Sequence, residues 1–204
     1  MAVEANGKHV LMRLASGRTI HSHMRMQGAW HVYPTGRTWH RPGFEARLVL
    51  EAGERQAVCF NAPVVSLANT PAVDHLGPDL ITEPVDFDAI AHRVALQPAT
   101  LEVGDLLLDQ RVAAGIGNIW RCETLFLHRT HPLTPLAAVD LVELAETAAE
   151  LMRASTAGHR PSPWVYGRAR RPCRRCRALI SSARLGGQAR TAYWCPDCQP
   201  AGAG

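Results

Sequence analysis

The sequence predicts an α+β protein with several domains, and three observations lead to that class. Residues 8 to about 70 alternate apolar and polar side chains, as half-buried strands do. Residues 86–155 instead repeat apolar side chains at helical spacing. Four of the six cysteines stand in two Cys-x-x-Cys pairs near the end of the chain. We therefore predict a β-domain over residues 1–85, a helical domain over residues 86–160, and a linker with a metal-binding unit over residues 161–204.

The predicted β-domain opens with two strands joined by the short turn ASGR. The first, KHVLMRL, has on one face the apolar residues Val10, Met12 and Leu14. The second, TIHSHMRM, has on one face Ile20, Ser22, Met24 and Met26. The turn-forming segments PTGR, RPG and AGER separate three further predicted strands, WHVY, ARLVLE and QAVCF. The first part of the chain is thus expected to be built from sheets.

Two amphipathic helices are predicted in the middle of the chain. The segment DFDAIAHRVAL has Asp86 as its N-cap candidate. The later segment TPLAAVDLVELAETAAELM is predicted to begin with Thr134 as N-cap and Pro135 in the first helical position. Its apolar stripe consists of Leu141, Leu144, Ala145, Ala148, Leu151 and Met152.

Between these helices, LLLDQRVAAGIGNIW predicts a helix, a tight Gly-Ile-Gly turn and another helix that starts near Asn118. Gly115 and Gly117 can adopt backbone angles that are closed to other residues. The following helix would present free N–H groups, which suit a phosphate. Asn118 would either cap this helix or reach the phosphate with its own amide. An ordinary helix–helix connection is the alternative interpretation.

The cysteine spacing predicts a zinc site. The pairs Cys173/Cys176 and Cys195/Cys198 are separated by 18 residues, as in tetrahedral zinc sites with four thiolates. The intervening RALISSARLGGQARTAYW predicts a β-hairpin with its two glycines near the turn. This unit is too short to bury a core, so the metal would supply its folding energy. Two disulfides are the alternative, although nothing in the sequence marks a secreted protein.

The charge distribution indicates an anionic partner. The net charge is +4, and nine arginines but no acidic residue lie between His159 and Arg190. A basic region around patterned cysteines favours nucleic-acid binding over a solvated basic tail. The sequence shows no signal peptide and no long apolar segment, which predicts a cytoplasmic location. If the anionic partner is DNA, the protein would be associated with the nucleoid. Cys59 and Cys122 stand alone in apolar surroundings and are predicted to be buried.

Lys8 is the only lysine among 22 basic Lys and Arg residues. Codon bias in a GC-rich genome would explain one chance survivor. A chemical explanation is that lysine can lose its proton, whereas arginine cannot, so a site needing a transferable proton would retain lysine.

Several of these motifs jointly resemble one family. LLDQRVAAGIGNIWRCETLF resembles the helix–two-turn–helix element of the formamidopyrimidine-DNA glycosylase and endonuclease VIII family. CRRCRALI and ARTAYWCPDCQ are similar to its zinc finger, and GKHVLMRL, HMRMQG and LGPDL to its N-terminal β-domain. The resemblance runs from about Gly7 to Gln199 and fits the endonuclease VIII-like branch better. It implies an incomplete β-sandwich, the helix–two-turn–helix domain and a β-hairpin zinc finger.

The resemblance implies base-excision repair of oxidised DNA bases. Family members flip the damaged nucleotide out of the duplex, attack its sugar with a protein amine, and cleave the strand by β,δ-elimination. The protein would be a bifunctional DNA glycosylase and DNA-(apurinic or apyrimidinic site) lyase with one structural Zn²⁺. Its partner would be double-stranded DNA with a damaged base or an abasic site, bound by a monomer.

The resemblance also implies roles for individual residues. Lys8 matches the strand lysine that contacts phosphate and transfers protons, and Arg190 matches the finger arginine that grips phosphate and assists elimination. His23 and Asn118 match phosphate contacts beside the lesion. Met26 matches the residue that fills the gap left by the flipped base, where an unbranched apolar side chain is suitable.

The residues alone leave other interpretations open. Met26 is equally consistent with a core residue, and His23 with a polar strand residue facing water. The remaining histidines of the first domain show no ligand spacing and receive no role; they are His9, His21, His31 and His40.

The opening of the chain departs from the family pattern. Family members begin, once methionine is removed, with Pro-Glu, in which the proline amine is the nucleophile and the glutamate assists base release. This sequence opens with MAVEANGKHV, and neither Ala2 nor Glu4 matches those roles. We therefore expect a family member without its opening segment, whose activity is impaired if it acts in this form.

Three function classes follow from this departure. The first is a glycosylase and lyase, with a variant in which Lys8 supplies the Schiff-base amine. The second is a non-catalytic zinc protein that binds damaged or abasic DNA. A zinc ribbon acting on RNA or protein would explain the cysteines but neither the glycine turn nor Lys8.

Overall fold

The structure is a computed structural model and describes residues 2–25, 27–69, 73–159, 162–187 and 189–202. The chain divides into two compact units, residues 1–75 and residues 76–204. The first unit is built from strands, and the second combines helices with a two-stranded hairpin. This confirms the predicted α+β class. The predicted three-part division, with boundaries after residues 85 and 160, stays a prediction.

The described part of the first unit contains two antiparallel sheets. Its strands are β1 (Ala2–Asn6), β2 (His9–Arg13), β3 (Thr19–His23), β4 (Ala29–Pro34), β5 (Ala46–Ala52), β6 (Arg55–Phe60) and β7 (Val64–Ala68). The strand order is β1-β2-β3-β7 in one sheet and β4-β6-β5 in the other. The indole Nε1 of Trp30 on β4 donates a 3.1 Å hydrogen bond to Ser22 Oγ on β3, which joins the two sheets.

The first hairpin was not predicted. β1 pairs with β2 from Ala2 opposite Arg13 to Asn6 opposite His9, so that Gly7 and Lys8 form the two-residue turn. Gly7 has a φ of 57°, which glycine adopts without the steric cost that other residues incur. Lys8 therefore lies at the tip of a hairpin rather than within a strand.

The other predicted strands are confirmed with shifted ends. WHVY, ARLVLE and QAVCF lie within β4, β5 and β6. β3 ends at His23, earlier than predicted, because Arg25 adopts a φ of 45° and turns the chain. Met26 lies outside the described residues. The core includes Val58, Cys59 and Phe60 of β6, which are fully buried, so the predicted burial of Cys59 is confirmed.

The second unit contains four helices among its described residues. They are α1 (Phe87–Ala95), α2 (Val103–Leu106), α3 (Asn118–Leu127) and α4 (Leu141–Thr156), followed by the hairpin strands β8 (Ser181–Leu185) and β9 (Arg190–Trp194). Asp86 caps α1 as predicted, because its carboxylate accepts a 2.8 Å hydrogen bond from Ala89 N. No described helix is both long and apolar enough to cross a bilayer.

The predicted start of the long helix was wrong. Residues 136–138 form a single 3₁₀ turn, after which Val139 is extended with a φ of −142°. α4 then begins at Leu141, with Asp140 as its N-cap. The Asp140 carboxylate accepts hydrogen bonds from Val142 N at 2.9 Å and Glu143 N at 3.3 Å. A carboxylate that satisfies two amides outweighs the Thr-Pro signal farther upstream.

The helical core packs α4 against α3 and α1, together with α2 and the residues that precede α3. Its buried members include Ile90, Val103, Leu106, Ile116, Leu144, Ala148 and Met152. Most of the predicted stripe of α4 is buried, and Leu151 is only half-buried. This packing places the glycine turn at the N-terminal end of α3.

The LGPDL segment packs on that turn, in the second unit and not in the β-domain with which it was matched. Ala114 N donates to Pro78 O at 2.8 Å, and Leu80 N donates to Ala114 O at 3.2 Å. Gly115 has a φ of 108°, and a Cβ there would lie 2.7 Å from the Met152 methyl carbon. The Met152 methyl could move aside, but the φ of 108° would strain any other residue at position 115.

Candidate metal centre and nucleic-acid interface

Four cysteine thiols converge in the hairpin unit. The sulfur atoms of Cys173, Cys176, Cys195 and Cys198 all lie within 4.8 Å of one another. The Cys173 and Cys198 sulfurs are 4.0 Å apart, and those of Cys176 and Cys195 are 3.4 Å apart. Zn–S bonds of about 2.3 Å in a tetrahedron require sulfur separations of about 3.8 Å. The sequence-predicted ligands therefore form a donor set that fits Zn²⁺.

The pKa values of two of these thiols, Cys173 and Cys198, are shifted in opposite directions. Burial acts to raise the pKa of Cys173, but hydrogen bonds from the main-chain N–H groups of Cys176 and Arg175 and from neighbouring thiols lower it to about 7. Burial, together with hydrogen bonds to the other three thiols, raises the pKa of Cys198 to about 12. Four crowded thiols thus do not all ionise readily by themselves, and a dication would supply the compensating charge.

Glu123 attaches the segment before the first cysteine pair to α3. The residue is only 6% exposed. Its carboxylate accepts hydrogen bonds from three consecutive main-chain amides, Trp164 N at 2.7 Å, Val165 N at 3.1 Å and Tyr166 N at 2.9 Å. Three amides on one buried carboxylate form a strong clamp. Cys122, the residue before Glu123, is buried as predicted and packs with Cys173 and Cys195.

Asn118 joins the glycine turn to the hairpin. It is the first residue of α3, and Gly117, in extended conformation with a φ of −115°, occupies the N-cap position. The Asn118 side chain therefore does not cap the helix. Its Nδ2 donates a 2.8 Å hydrogen bond to Thr191 O on β9. This bond uses one of the two N–H donors of the amide.

A buried arginine completes this contact. Arg121 is 1% exposed, and its Nη2 donates to Asn118 Oδ1 at 2.5 Å and to Arg190 O at 3.4 Å. Arg190 itself is exposed at the start of β9. Asn118, Arg121, Arg190 and Thr191, which we call the junction, thus bring together the two residues that sequence analysis assigned to phosphate in this unit.

The turn of the hairpin is attached to α2. Gly187 N donates a 2.6 Å hydrogen bond to the Asp105 carboxylate. Gly186 has a φ of 71°, and a Cβ there would overlap the Asp105 carboxylate. The hairpin is therefore held at its turn by α2 and along β9 by α3.

The first unit brings Lys8 and His23 to the same end of its sheet. His23, at the end of β3, lies opposite His9, the residue that follows Lys8. Lys8 is exposed and His23 half-buried. Burial, followed by the charges of Arg25 and Lys8, lowers the pKa of His23. This end of the sheet is therefore cationic.

His9 and His21, to which no role was given, form a cluster with His23. His9 Nδ1 and His21 Nε2 are hydrogen-bonded at 2.7 Å, and the His9 and His23 ring centroids are 4.5 Å apart. Burial, with the charges of His23, His21, His75 and Lys8, lowers the pKa of His9 to about 4. Pairing of the two predicted strands about the ASGR turn would have been the signal for this histidine cluster.

Comparisons with known proteins identify the class. A profile described as the formamidopyrimidine-DNA glycosylase H2TH domain matches residues 76–158. The probable endonuclease 8 2 of Streptomyces coelicolor is 38% identical over 97% of this chain and 78% of its own. A Lactococcus lactis formamidopyrimidine-DNA glycosylase bound to DNA containing an abasic site has the same fold, with a TM-score of 0.81 at 21% identity, over 98% of this chain and 81% of its own.

The chain therefore belongs to the formamidopyrimidine-DNA glycosylase and endonuclease VIII family. The DNA-(apurinic or apyrimidinic site) lyase Nei2 of Mycolicibacterium smegmatis is 35% identical over 98% of this chain and 82% of its own. Together with the Streptomyces protein, it supports the endonuclease VIII-like branch, as the sequence motifs predicted.

Proposed function

We propose that this protein is a DNA glycosylase with abasic-site lyase activity that repairs oxidised bases. Family membership supports the reaction class. The structural observation that carries the proposal is the junction, which holds Arg190 beside the N-terminus of α3. The free N–H groups of a helix N-terminus and a planar guanidinium are both suited to phosphate. Arg190 would bind a backbone phosphate and stabilise the negative charge on the phosphate that leaves in the final elimination.

The four clustered cysteines would hold one Zn²⁺ with a structural role. The ion would supply folding energy to a hairpin unit with a small apolar core. Cys122 and Phe126 of α3 pack into that core, so the metal would also stabilise the position of β9 and Arg190 against α3.

In the first unit we assign Lys8 and His23 to phosphate contact. Lys8 would also transfer a proton, which a permanently charged arginine cannot do. Met26, outside the described residues, would fill the space left by the flipped base. The partner would be double-stranded DNA with a damaged base or an abasic site, bound by a monomer at the nucleoid.

The proposal is tested with a duplex that contains one abasic site and a second duplex that contains one oxidised base. We expect strand cleavage with β,δ-elimination products and a covalent adduct after borohydride reduction. Binding of abasic DNA without cleavage and without an adduct would overturn the assignment of enzymatic activity. It would favour the alternative, a non-catalytic protein that binds damaged DNA.

Three variants test whether Lys8 is the amine that forms the covalent adduct. Lys8→Ala removes the amine and its charge, Lys8→Arg keeps only the charge, and Arg18→Ala removes another exposed cation as the control. If Lys8 transfers protons but is not the nucleophile, the adduct persists in Lys8→Arg while elimination slows. An adduct lost from both Lys8 variants and kept in Arg18→Ala would assign the Schiff-base amine to Lys8.

A further inference from the structure

We infer that His9, His21 and His23 form a phosphate subsite that takes up one proton when DNA binds. The inference rests on the proposed function, since it deepens the phosphate contact assigned to His23 and Lys8. It would make the affinity for DNA depend on pH through the first unit.

The histidine cluster is built by strand register. His9 on β2 lies directly opposite His23 on β3, and His21 lies opposite Leu11, two residues further along β2. Because side chains two apart share a face of the sheet, all three rings lie on one face. The His9 and His21 rings stack with centroids 4.9 Å apart.

The tautomer of His23 is set by its own neighbour. Arg25 N donates a 3.3 Å hydrogen bond to His23 Nδ1, so that nitrogen acts as an acceptor. The ring proton of neutral His23 therefore lies on Nε2, from which it can be donated to a phosphate oxygen. Protonation of Nδ1 would abolish the contact with Arg25 N, so His23 can serve as a donor without gaining charge.

The His9–His21 pair is where the proton would be held. At 2.7 Å, one of the two nitrogens must donate and the other accept, so the neutral pair already contains one shared proton. One further proton can be added on a nitrogen outside this hydrogen bond, which then becomes charge-assisted. Two further protons would place N–H groups on both facing nitrogens and break the bond. The pair is therefore limited to a single added charge.

The surroundings keep the pair neutral until an anion arrives. Burial first, and then neighbouring cations, lower the pKa of His9 to about 4, and burial lowers the pKa of His21. The charged groups that act most on these rings among the described residues are Lys8, Arg25 and His75, all of them basic. On β1, uncharged Asn6 lies opposite His9, and Glu4 lies opposite Leu11 with its carboxylate 2.9 Å from the Arg13 guanidinium. The paired positions on β7, Val64 and Ser66, are uncharged.

A phosphodiester supplies the missing negative charge. His21 is 6% exposed and half-buried His9 is the more accessible partner, so His9 Nε2 is the atom suited to contact the ligand. An oxyanion near this atom favours the protonated pair and opposes the effect of Lys8 and Arg25. The phosphate and the proton therefore bind together, and each increases the affinity of the other.

The experiment measures proton uptake by calorimetric titration of the whole protein with an abasic-site duplex. Titrations at pH 5.5 in two buffers of different ionisation enthalpy give the number of protons bound. A coupling of about 1–3 kcal/mol would raise a pKa of about 4 by about 1–2 units, so we expect uptake of roughly half a proton for the wild type and an affinity that rises on acidification. His9→Gln and His21→Gln should each reduce uptake to near zero. His31→Gln, in the other sheet, is the matched control and should leave it unchanged.

A second measurement uses only the wild type, so that the inference can be tested even if the histidine variants fold poorly. NMR titration of the wild-type imidazoles with and without the duplex should show the His9 pKa rising on binding. Binding by the wild type without proton uptake and without this rise would overturn the inference while leaving the proposed function intact. Absence of binding at every pH would overturn the proposed function, and the inference with it.

Discussion

Asn118 Nδ2 donates a 2.8 Å hydrogen bond to the main-chain carbonyl of Thr191, 73 residues further along the chain. This bond joins the glycine turn of the helical core to the strand that carries Arg190. Buried Arg121 reinforces this connection by donating hydrogen bonds to Asn118 Oδ1 and to Arg190 O. The position of Arg190 beside α3 therefore depends on one amide side chain and one buried guanidinium.

We expect Asn118→Asp to weaken both stability and DNA binding. The change removes the donor to Thr191 O and costs about 1–2 kcal/mol of unfolding free energy, measured by denaturant titration. It also adds a negative charge at the proposed phosphate site, so the loss of affinity for abasic DNA should exceed tenfold. Asn118→Ala removes the donor without adding charge and should bind more tightly than Asn118→Asp. Equal affinities of the two variants would contradict a phosphate at this position.

Arg190→Ala should weaken binding to abasic DNA because it removes one phosphate contact. The slope of log K against log salt concentration is negative, and each lost contact reduces its magnitude by about 1. Binding is measured at several salt concentrations by fluorescence anisotropy. Arg184→Ala, on the exposed face of β8 in the same hairpin, is the control. An unchanged affinity and salt slope in Arg190→Ala would refute its assignment.

Cys195→Ser should abolish metal binding and unfold the hairpin. Zinc analysis is expected to give one ion per wild-type chain and less than one in the variant, with increased proteolysis between the cysteine pairs. Cys59→Ser removes a buried thiol in the first unit and should retain the ion. One zinc per chain in Cys195→Ser would show that the four-cysteine site is wrong.

Glu123→Gln should destabilise the attachment of the hairpin unit to α3. The substituted amide has only one acceptor oxygen for the three N–H groups of Trp164, Val165 and Tyr166, and its own NH₂ faces donors. The expected cost is about 1.5–3 kcal/mol of unfolding free energy. Glu150→Gln, exposed on α4, should be neutral. Hydrogen exchange at residues 164–166 that stays as slow as in the wild type would contradict the clamp.

Stability of the free protein should fall on acidification. The pKa of His9 is lowered from 6.5 to about 4 in the folded state. Between these two values the unfolded chain binds the proton more readily, so unfolding becomes more favourable as the pH falls through that window. His9→Gln should lose less stability between pH 7 and pH 5 than the wild type, as measured by urea unfolding. Identical pH dependence in the two proteins would mean that His9 titrates normally.

The features predicted correctly from the sequence were local ones. The cysteine pairs, the start of α3 at Asn118 and the Asp86 cap each depend on residues close together in the chain, where spacing alone carries the geometry. The mistaken Thr134 cap was local too, but it lay near a second candidate, Asp140, with two amides within reach of its carboxylate. Sequence spacing does not rank two such competing caps.

The features that were missed depend on contacts between distant segments. Arg121 and Glu123 lie on α3, yet the main-chain groups that they contact near and within the hairpin are 41 to 69 residues away, so spacing along the chain does not distinguish them from surface charges. The His9–His21 pair required the register of two strands, which a pattern of single histidines does not contain. The bond from Asn118 to β9 was not foreseen, because its partner carbonyl is a main-chain group that any residue type provides.

The contact between the hairpin turn and α2 limits how this protein can vary. With Asp105 in place, any side chain at position 186 would collide with the carboxylate, so alanine there should displace Asp105 and release Gly187 N. Shortening Asp105 to serine would open space for that alanine. Relatives and engineered variants should therefore tolerate a larger residue at 186 only together with a smaller one at 105. Compensation between these two positions, 81 residues apart in numbering, would be visible in a paired mutational scan.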